Sequence, residues 1–292
     1  MKKIMITGCS GFIGHHLIKV CQDKGWFVVG VDKRPIMKGH NEPDHFILTN
    51  VKDLGYRDLM EIDYVFNLAF VTNIPNSVRH PVRTTYDNIG SIIHLLQMSR
   101  EAGVKKIIYP STASLYGNNP TPWTEDMPPY HIEPYSWQKL CAEEACKLYA
   151  REYGLPTVIV RLFQVYGELQ REDTALAAFM KMKKRGVPIT LTETTAQSTF
   201  KSAQRDFIYV GDVADAMVTV AESEETGKGE IFNVCSGKVK TMEDIANALK
   251  AEVKWIPKRP YEVDVHCGNI EKIKSLGWKP KINVETWLKS NV

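Results

Sequence analysis

The fold that this sequence predicts is α/β: a doubly wound parallel sheet followed by a smaller, less regular C-terminal α/β part. Three observations point to it. Short apolar runs alternate with helical patterns through the first half of the chain. A glycine-rich turn joins the first run to the first helix. The second run ends on an acid, Asp32.

The elements follow in order. "KIMIT" reads as a strand, and "FIGHHLIKVCQDKG" as an amphipathic helix stopping near Gly25. "FVVGVD", "HFIL", "YVFNLA" and "KKIIYP" are further strands. Before "KKIIYP", "TTYDNIGSIIHLLQMSREAG" has helical period and ends in glycine. "EPYSWQKLCAEEACKLYAREYG" reads as a long helix that starts at a proline and stops at Gly154, and the β-branched "PTVIVRLF" as the next strand. Strands alternating with helices make parallel βαβ units, with helices on both faces of the sheet. Beyond Gly167 the pattern loosens. "ALAAFMKMKKRG", "GDVADAMVTVAES" and "TMEDIANALK" read as helices; "PITLT", "RDFIYV", "EIFNV" and "VKWIP" read as strands. The expected division is residues 1–167 and 168–292, with some elements of the second part returning to the first sheet.

Composition narrows the function. A formal charge of +3 over 292 residues argues against nucleic acid and anionic membranes as partners. The basic run Lys181–Gly186 closes a helix, where cations suit the dipole, and reads as a solvated face. Six cysteines show neither C-x-x-C pairs nor zinc spacing, so the expectation is a reduced cytoplasmic protein with no metal. The N-terminus lacks the h-region of a signal peptide, and no apolar run would span a bilayer. His15, His16, Trp255 and Trp278 read as packing residues. The proline-rich stretch 118–134 reads as a loop over the active site, with no spacing argument for Trp123 or Tyr130 as substrate contacts.

"TGCSGFIG" lies between the first strand and the first helix, with Phe12 and Ile13 opening the helix. Gly8 permits a tight turn, Gly11 the approach of backbone N–H groups to a pyrophosphate, and Gly14 close helix–strand packing. Asp32 stands about 20 residues on, where a carboxylate accepts hydrogen bonds from an adenosine ribose and repels a 2′-phosphate. That favours NAD over NADP; the neighbouring cations Lys33 and Arg34 oppose the preference.

"YSWQK" then acquires a chemical meaning. Tyr135 and Lys139 share one helix face, and an ammonium there favours phenolate over phenol. A dinucleotide loop together with Y-x-x-x-K resembles the short-chain dehydrogenase/reductase superfamily, with its Rossmann sheet. Upstream, "YPSTASLYG" places Ser111 and Thr112 at a strand end, where open parallel sheets bind ligands. The expected roles are Thr112 as hydrogen-bonding partner, Tyr135 as acid/base and Lys139 as electrostatic activator that also holds the nicotinamide ribose.

Further motifs are similar to the extended branch of that superfamily, the nucleotide-sugar epimerase/dehydratase family, over nearly the whole chain. The resemblance implies that backbone at Leu68, Ala69 and Phe70 in "FNLAFVTNIPNSVRHP" lines the cofactor; the family has a second alanine where Phe70 stands. It implies that Asn88 in "YDNIGS" supports the active-site strand beside the cofactor, and that Asn50 and Val51 in "NVKD" meet the adenine, with Asn50 in place of an acid. Gln164 in "RLFQVYG" stands where the family has a substrate-contacting asparagine. Arg205 in "QRDFIYVGDVA" would face the nucleotide diphosphate; in "KRPYEVD", Arg259 would reach phosphate and Glu262 the nucleoside ribose. The resemblance also implies a homodimer through the two long helices. The leading activity is epimerisation of a nucleotide-diphosphate sugar at C4 with NAD, through a transient 4-keto sugar. Family dehydratases carry Asp-Glu after the catalytic threonine, whereas Ala113 and Ser114 stand here. A ketosugar reductase is the alternative, and a nucleotide-sensing protein without turnover is a minor one.

Overall fold

The computed structural model describes residues 1–194, 198–258 and 263–291. In chain order the elements begin β1 (Lys3–Thr7), α1 (Phe12–Asp23), β2 (Phe27–Asp32), β3 (His45–Leu48), β4 (Tyr64–Asn67), α2 (Ile74–Arg79) and α3 (Pro81–Ala102). They continue with β5 (Lys106–Thr112), α4 (Pro134–Tyr153), β6 (Thr157–Leu162), β7 (Gln164–Tyr166), α5 (Ala175–Lys184), β8 (Ile189–Thr192) and β9 (Gln204–Tyr209). The remainder are α6 (Val210–Glu222), β10 (Lys228–Val234), β11 (Val239–Thr241), α7 (Met242–Ala248), β12 (Val253–Ile256), α8 (Glu271–Lys274) and α9 (Val284–Asn291).

The main sheet runs β3-β2-β1-β4-β5-β6-β10, with every pairing parallel. β5 and β6 are buried at every position, so their sequences show continuous apolar character rather than alternation. α1 and α6 cover one face with Leu17, Ile18, Val213 and Met217. α3 and α4 cover the other with Ile92, Leu95, Ala142 and Cys146. β10, from the C-terminal part, is the seventh strand of this sheet, and the sheet is the expected doubly wound α/β architecture. A third cluster, around Tyr166, Leu176, Phe179 and Trp287, supports the small sheets β11-β9-β7 and β12-β8.

Chain order reverses between β1 and β4, so their carboxyl ends open a crevice. The helices around it start and stop for local reasons. α3 ends at Gly103, left-handed at φ 75°. α4 begins with Pro134 behind Glu133, whose carboxylate accepts the N–H groups of Tyr135 (2.6 Å) and Ser136 (3.0 Å). That cap fixes Tyr135 in the first turn, at the rim of the crevice. Among the described residues no helix is long and apolar enough to cross a membrane.

The stretch 118–134 departs from expectation: it gives the crevice no lining residue. Trp123 draws it away. That indole is fully buried and stacks on Tyr116 with ring centroids 5.1 Å apart. The Trp123 N–H donates to Cys267 O, and its carbonyl accepts from Asn269 N–H, each at 2.8 Å. Burying so large a ring outweighs any pull toward the site. Tyr130 stays exposed.

Candidate active site

A cavity of about 970 Å³ occupies the crevice. Its floor is the turn after β1. A side chain at Gly8 would bring its Cβ within 2.7 Å of the Leu68 and Ala69 backbone, and one at Gly14 within 2.5 Å of Gly8 O. Gly8 is also left-handed at φ 72°, so only glycine suits it. Gly8, Gly11, Phe12, Ile13 and Gly14 all line the cavity. The sequence motif thus becomes a bare backbone cradle at the start of α1, suited to an anionic group.

Asp32 closes one side and is 6% exposed. Its carboxylate accepts Ser10 N–H (3.1 Å) and Arg34 N–H (3.0 Å), so it ties the glycine turn to the end of β2. Its remaining lone pairs face the cavity beside Lys33 and Arg34. Asn50 and Val51 line the same end; the Asn50 side chain also caps the short turn of helix that follows by accepting Lys52 N–H (3.1 Å).

Leu68, Ala69 and Phe70 form the wall after β4. Asn88 borders the cavity too, but its amide is engaged elsewhere. It donates to Val71 O (3.2 Å) and Gln138 Oε1 (2.7 Å) and accepts Val71 N–H (2.7 Å). Asn88 therefore fastens the wall to α4 rather than supporting β5. Two buried polar atoms on the lining, Asn67 Nδ2 and Ser111 Oγ, have no partner among the described residues. A buried donor left unpaired is costly, and a polar ligand in the cavity would relieve it. Cradle, carboxylate and unpaired polar atoms together fit a dinucleotide.

Thr112, Tyr135 and Lys139 meet at the far end, together with Gln164 from β7. Thr112 Oγ1 donates to Ser114 Oγ (3.1 Å), accepts Ser114 N–H (3.2 Å), and hydrogen-bonds the Tyr135 phenol. Lys139 is 5% exposed and donates to Pro110 O at 2.6 Å. Burial pushes its ammonium down to about 7, against the opposing pull of Glu143. Burial likewise pushes the Tyr135 phenol up to about 12, against the Thr112 hydrogen bond and the charge of Arg171. The spacing argument expected the lysine to draw the phenol down. In the folded chain desolvation is the larger effect on both groups.

The remaining candidates divide. Arg205 does not line the cavity: its Nη1 donates to Gln204 O (2.9 Å) and Asp264 O (3.4 Å). Its charge bears instead on His266, which does line the cavity and which burial, with that charge, lowers to about 3. Arg259 and Glu262 lie outside the described residues. Arg171 and His266 are among the lining residues that escape sequence reasoning. Arg171 reaches across the mouth, donating to Thr72 Oγ1 (2.7 Å) and Asp173 Oδ1 (2.9 Å). His266 comes from the C-terminal tail. Neither sits in a periodic pattern or a motif.

Comparison with known proteins agrees with this geometry. A putative UDP-glucose 4-epimerase of Methanocaldococcus jannaschii is 31% identical, covering 99% of each chain. A dTDP-D-glucose 4,6-dehydratase of Mus musculus is 28% identical, covering all of this chain and 88% of that one. The solved UDP-glucuronic acid 4-epimerase of Bacillus cereus, in complex with UDP-glucuronic acid and NAD, superposes with a TM-score of 0.87 at 26% identity, over 98% of this chain and 96% of that one. The sequence pattern of the NAD dependent epimerase/dehydratase family matches residues 4–235, and the chain belongs to that family of NAD-dependent enzymes.

Proposed function

We propose that this protein is an epimerase of a nucleotide-diphosphate sugar, acting at C4 through a transient 4-keto sugar and returning its NAD unchanged. The observation that carries this reading is the gathering of Thr112, Tyr135 and Lys139 at the end of the dinucleotide cavity, with Ala113 and Ser114 following Thr112. The small neutral side chains at 113 and 114 supply no acid or base for eliminating water, which disfavours a dehydratase.

The glycine cradle, Asp32, Asn50 and the wall at 68–70 would hold NAD. Bound there, it supplies a hydride acceptor and a cationic ring, and a cation beside a phenol favours phenolate. The chain's own groups supply the rest. Thr112 Oγ1 holds the C4 oxygen, and the Tyr135 oxygen takes its proton as the C–H bond breaks, then returns it when the hydride comes back. Lys139, one turn along, stabilises the negative charge on the phenolate. Gln164 contacts the sugar, while Arg205 lies outside the cavity lining. Net redox tests the reading. With a competent sugar nucleotide, epimerised product is expected to form without accumulating NADH or consuming added reductant. One NADH formed or consumed per product would establish an oxidoreductase instead.

The same proposal includes a homodimer. Val82, Tyr86 and Ile93 on α3, and Trp137 and Leu148 on α4, are exposed apolar residues at helical spacing. Paired with a second copy, α3 and α4 would make a four-helix interface. Sedimentation equilibrium is expected to give twice the chain mass, and Tyr86→Glu to give the single-chain mass. A monomeric parent protein would end this part of the proposal.

A further inference from the structure

Phe70 touches both members of the Tyr135–Lys139 pair. The centre of its ring lies 3.9 Å from Lys139 Nζ, and the ring meets that of Tyr135 at 6.1 Å and 78°, edge to face. Tyr109 offers a second ring to the same ammonium at 4.7 Å, and the two rings meet each other at 6.4 Å and 61°. The ammonium is thus held by two aromatic faces and a neutral carbonyl, Pro110 O.

One nearby charge, Glu143, opposes its burial, but that charge is shared. Glu143, one turn further on α4, is gripped by Arg161 of β6 through two bonds of 3.0 and 2.8 Å, so that pair is neutral overall. Cys146 on α4 and Tyr109 on β5 are both pushed up by burial and carry no charge near pH 7. The wall at 68–70 brings no ionisable side chain. What remains close to the ammonium is the negative face of an aromatic ring, which attracts a cation more strongly when water is excluded.

We propose that Phe70 is a positioning residue: its ring, with that of Tyr109, forms a cation–π clamp that favours the charged form of Lys139 and fixes it beside Tyr135. The proposal rests on the reading of Tyr135 and Lys139 as the proton-transfer pair. The alanine of the family pattern could not make this contact.

The test separates ring from bulk. Phe70→Leu keeps an apolar side chain and removes the ring face; Phe70→Tyr keeps the face. The titration of Lys139 is followed by NMR in the full-length protein as purified, carrying ¹³C-labelled lysine, with the signal assigned by its loss in Lys139→Met. Loss of the clamp favours the neutral amine. The Phe70→Leu midpoint is expected about 0.5 to 1.5 pH units below that of the parent protein. Phe70→Tyr is expected to match the parent. An unchanged or raised midpoint in Phe70→Leu would overturn the proposal, as would Phe70→Tyr shifting as far as Phe70→Leu. The alkaline limb of the turnover profile, where Lys139 loses its charge, should move acidward by the same amount in Phe70→Leu. A shifted midpoint with an unmoved limb would leave the clamp standing and remove Lys139 from catalysis.

Discussion

Tyr135→Phe is expected to lower turnover by about 10²- to 10⁴-fold while leaving NAD affinity and the melting temperature close to those of the parent protein. The change removes one oxygen and little else. The backbone N–H of residue 135 keeps its bond to Glu133, so α4 still starts in place. The ring keeps its edge contact with Phe70. Thr112 loses the phenol but retains Ser114. Burial already disfavours ionisation of this phenol, holding it near 12, so its removal sacrifices no stabilising charge. What disappears is the atom that takes the C4 proton. Turnover within a few fold of the parent would remove Tyr135 from proton transfer and leave the cavity without an acid/base group at that position. Loss of NAD binding alongside turnover would show instead that the hydroxyl holds the cofactor.

The pH dependence of the free protein follows from the same pair. Lys139 changes charge near 7 and Tyr135 near 12. Between those values the phenol and the free amine predominate. The pair is therefore not activated in advance: forming the phenolate needs a further positive charge, which a bound NAD would supply. The sequence could place the two groups on one face but not weigh desolvation against their mutual attraction. That balance depends on Phe70, Tyr109 and Pro110, which come from other elements.

Other parts of the site divide in the same way. Gly8, Gly11, Gly14 and Asp32 were legible because backbone clearance and carboxylate spacing are local requirements. That Asp32 also ties down Ser10 N–H was not, since it depends on β1 and β2 lying side by side. Asn88 stood out in its motif, yet its bonds to Val71 and Gln138 show what it fastens. Arg171 and His266 belong to segments without periodicity, and only chain packing brings them to the cavity. The strands and long helices of the first part read clearly from apolar spacing and from glycine stops such as Gly103 and Gly154. In the tail, α8 is four residues and α9 eight, too short for a period to emerge. The loop at 118–134 misled because proline content marks irregular chain without saying where the chain goes; Trp123 decides that.

Glu143→Gln is expected to destabilise the protein by about 3–5 kcal/mol, the cost of leaving a buried charge without its partner. Glu143 is inaccessible to solvent and Arg161 is 2% exposed. The two are joined side-on, Nε to Oε1 and Nη2 to Oε2. Burial is the largest single effect and would weaken the guanidinium's hold on its proton, but the bond and charge of Glu143 together with Tyr116 outweigh it and raise the Arg161 pKa. Arg161 also lies over the Tyr116 ring at 4.7 Å, and Tyr116 in turn donates to Asn233 of β10. This chain of contacts ties α4, which carries Tyr135 and Lys139, to β6 and the edge strand β10. A glutamine at 143 offers one neutral oxygen in place of two charged ones. At roughly 2–4 °C per kcal/mol, the melting temperature should fall by on the order of 10 °C. Lys139 should also titrate lower, because Glu143 is the charge that opposes its desolvation. The double change Glu143→Leu with Arg161→Met removes both charges and is expected to recover most of the lost stability, since an apolar pair of similar volume commonly equals a buried ion pair. Comparing the single variants with the double by thermal and urea unfolding isolates the coupling. If Glu143→Gln melts with the parent protein, the pair is not what anchors α4, and the helix must be held by its apolar face and its Glu133 cap alone.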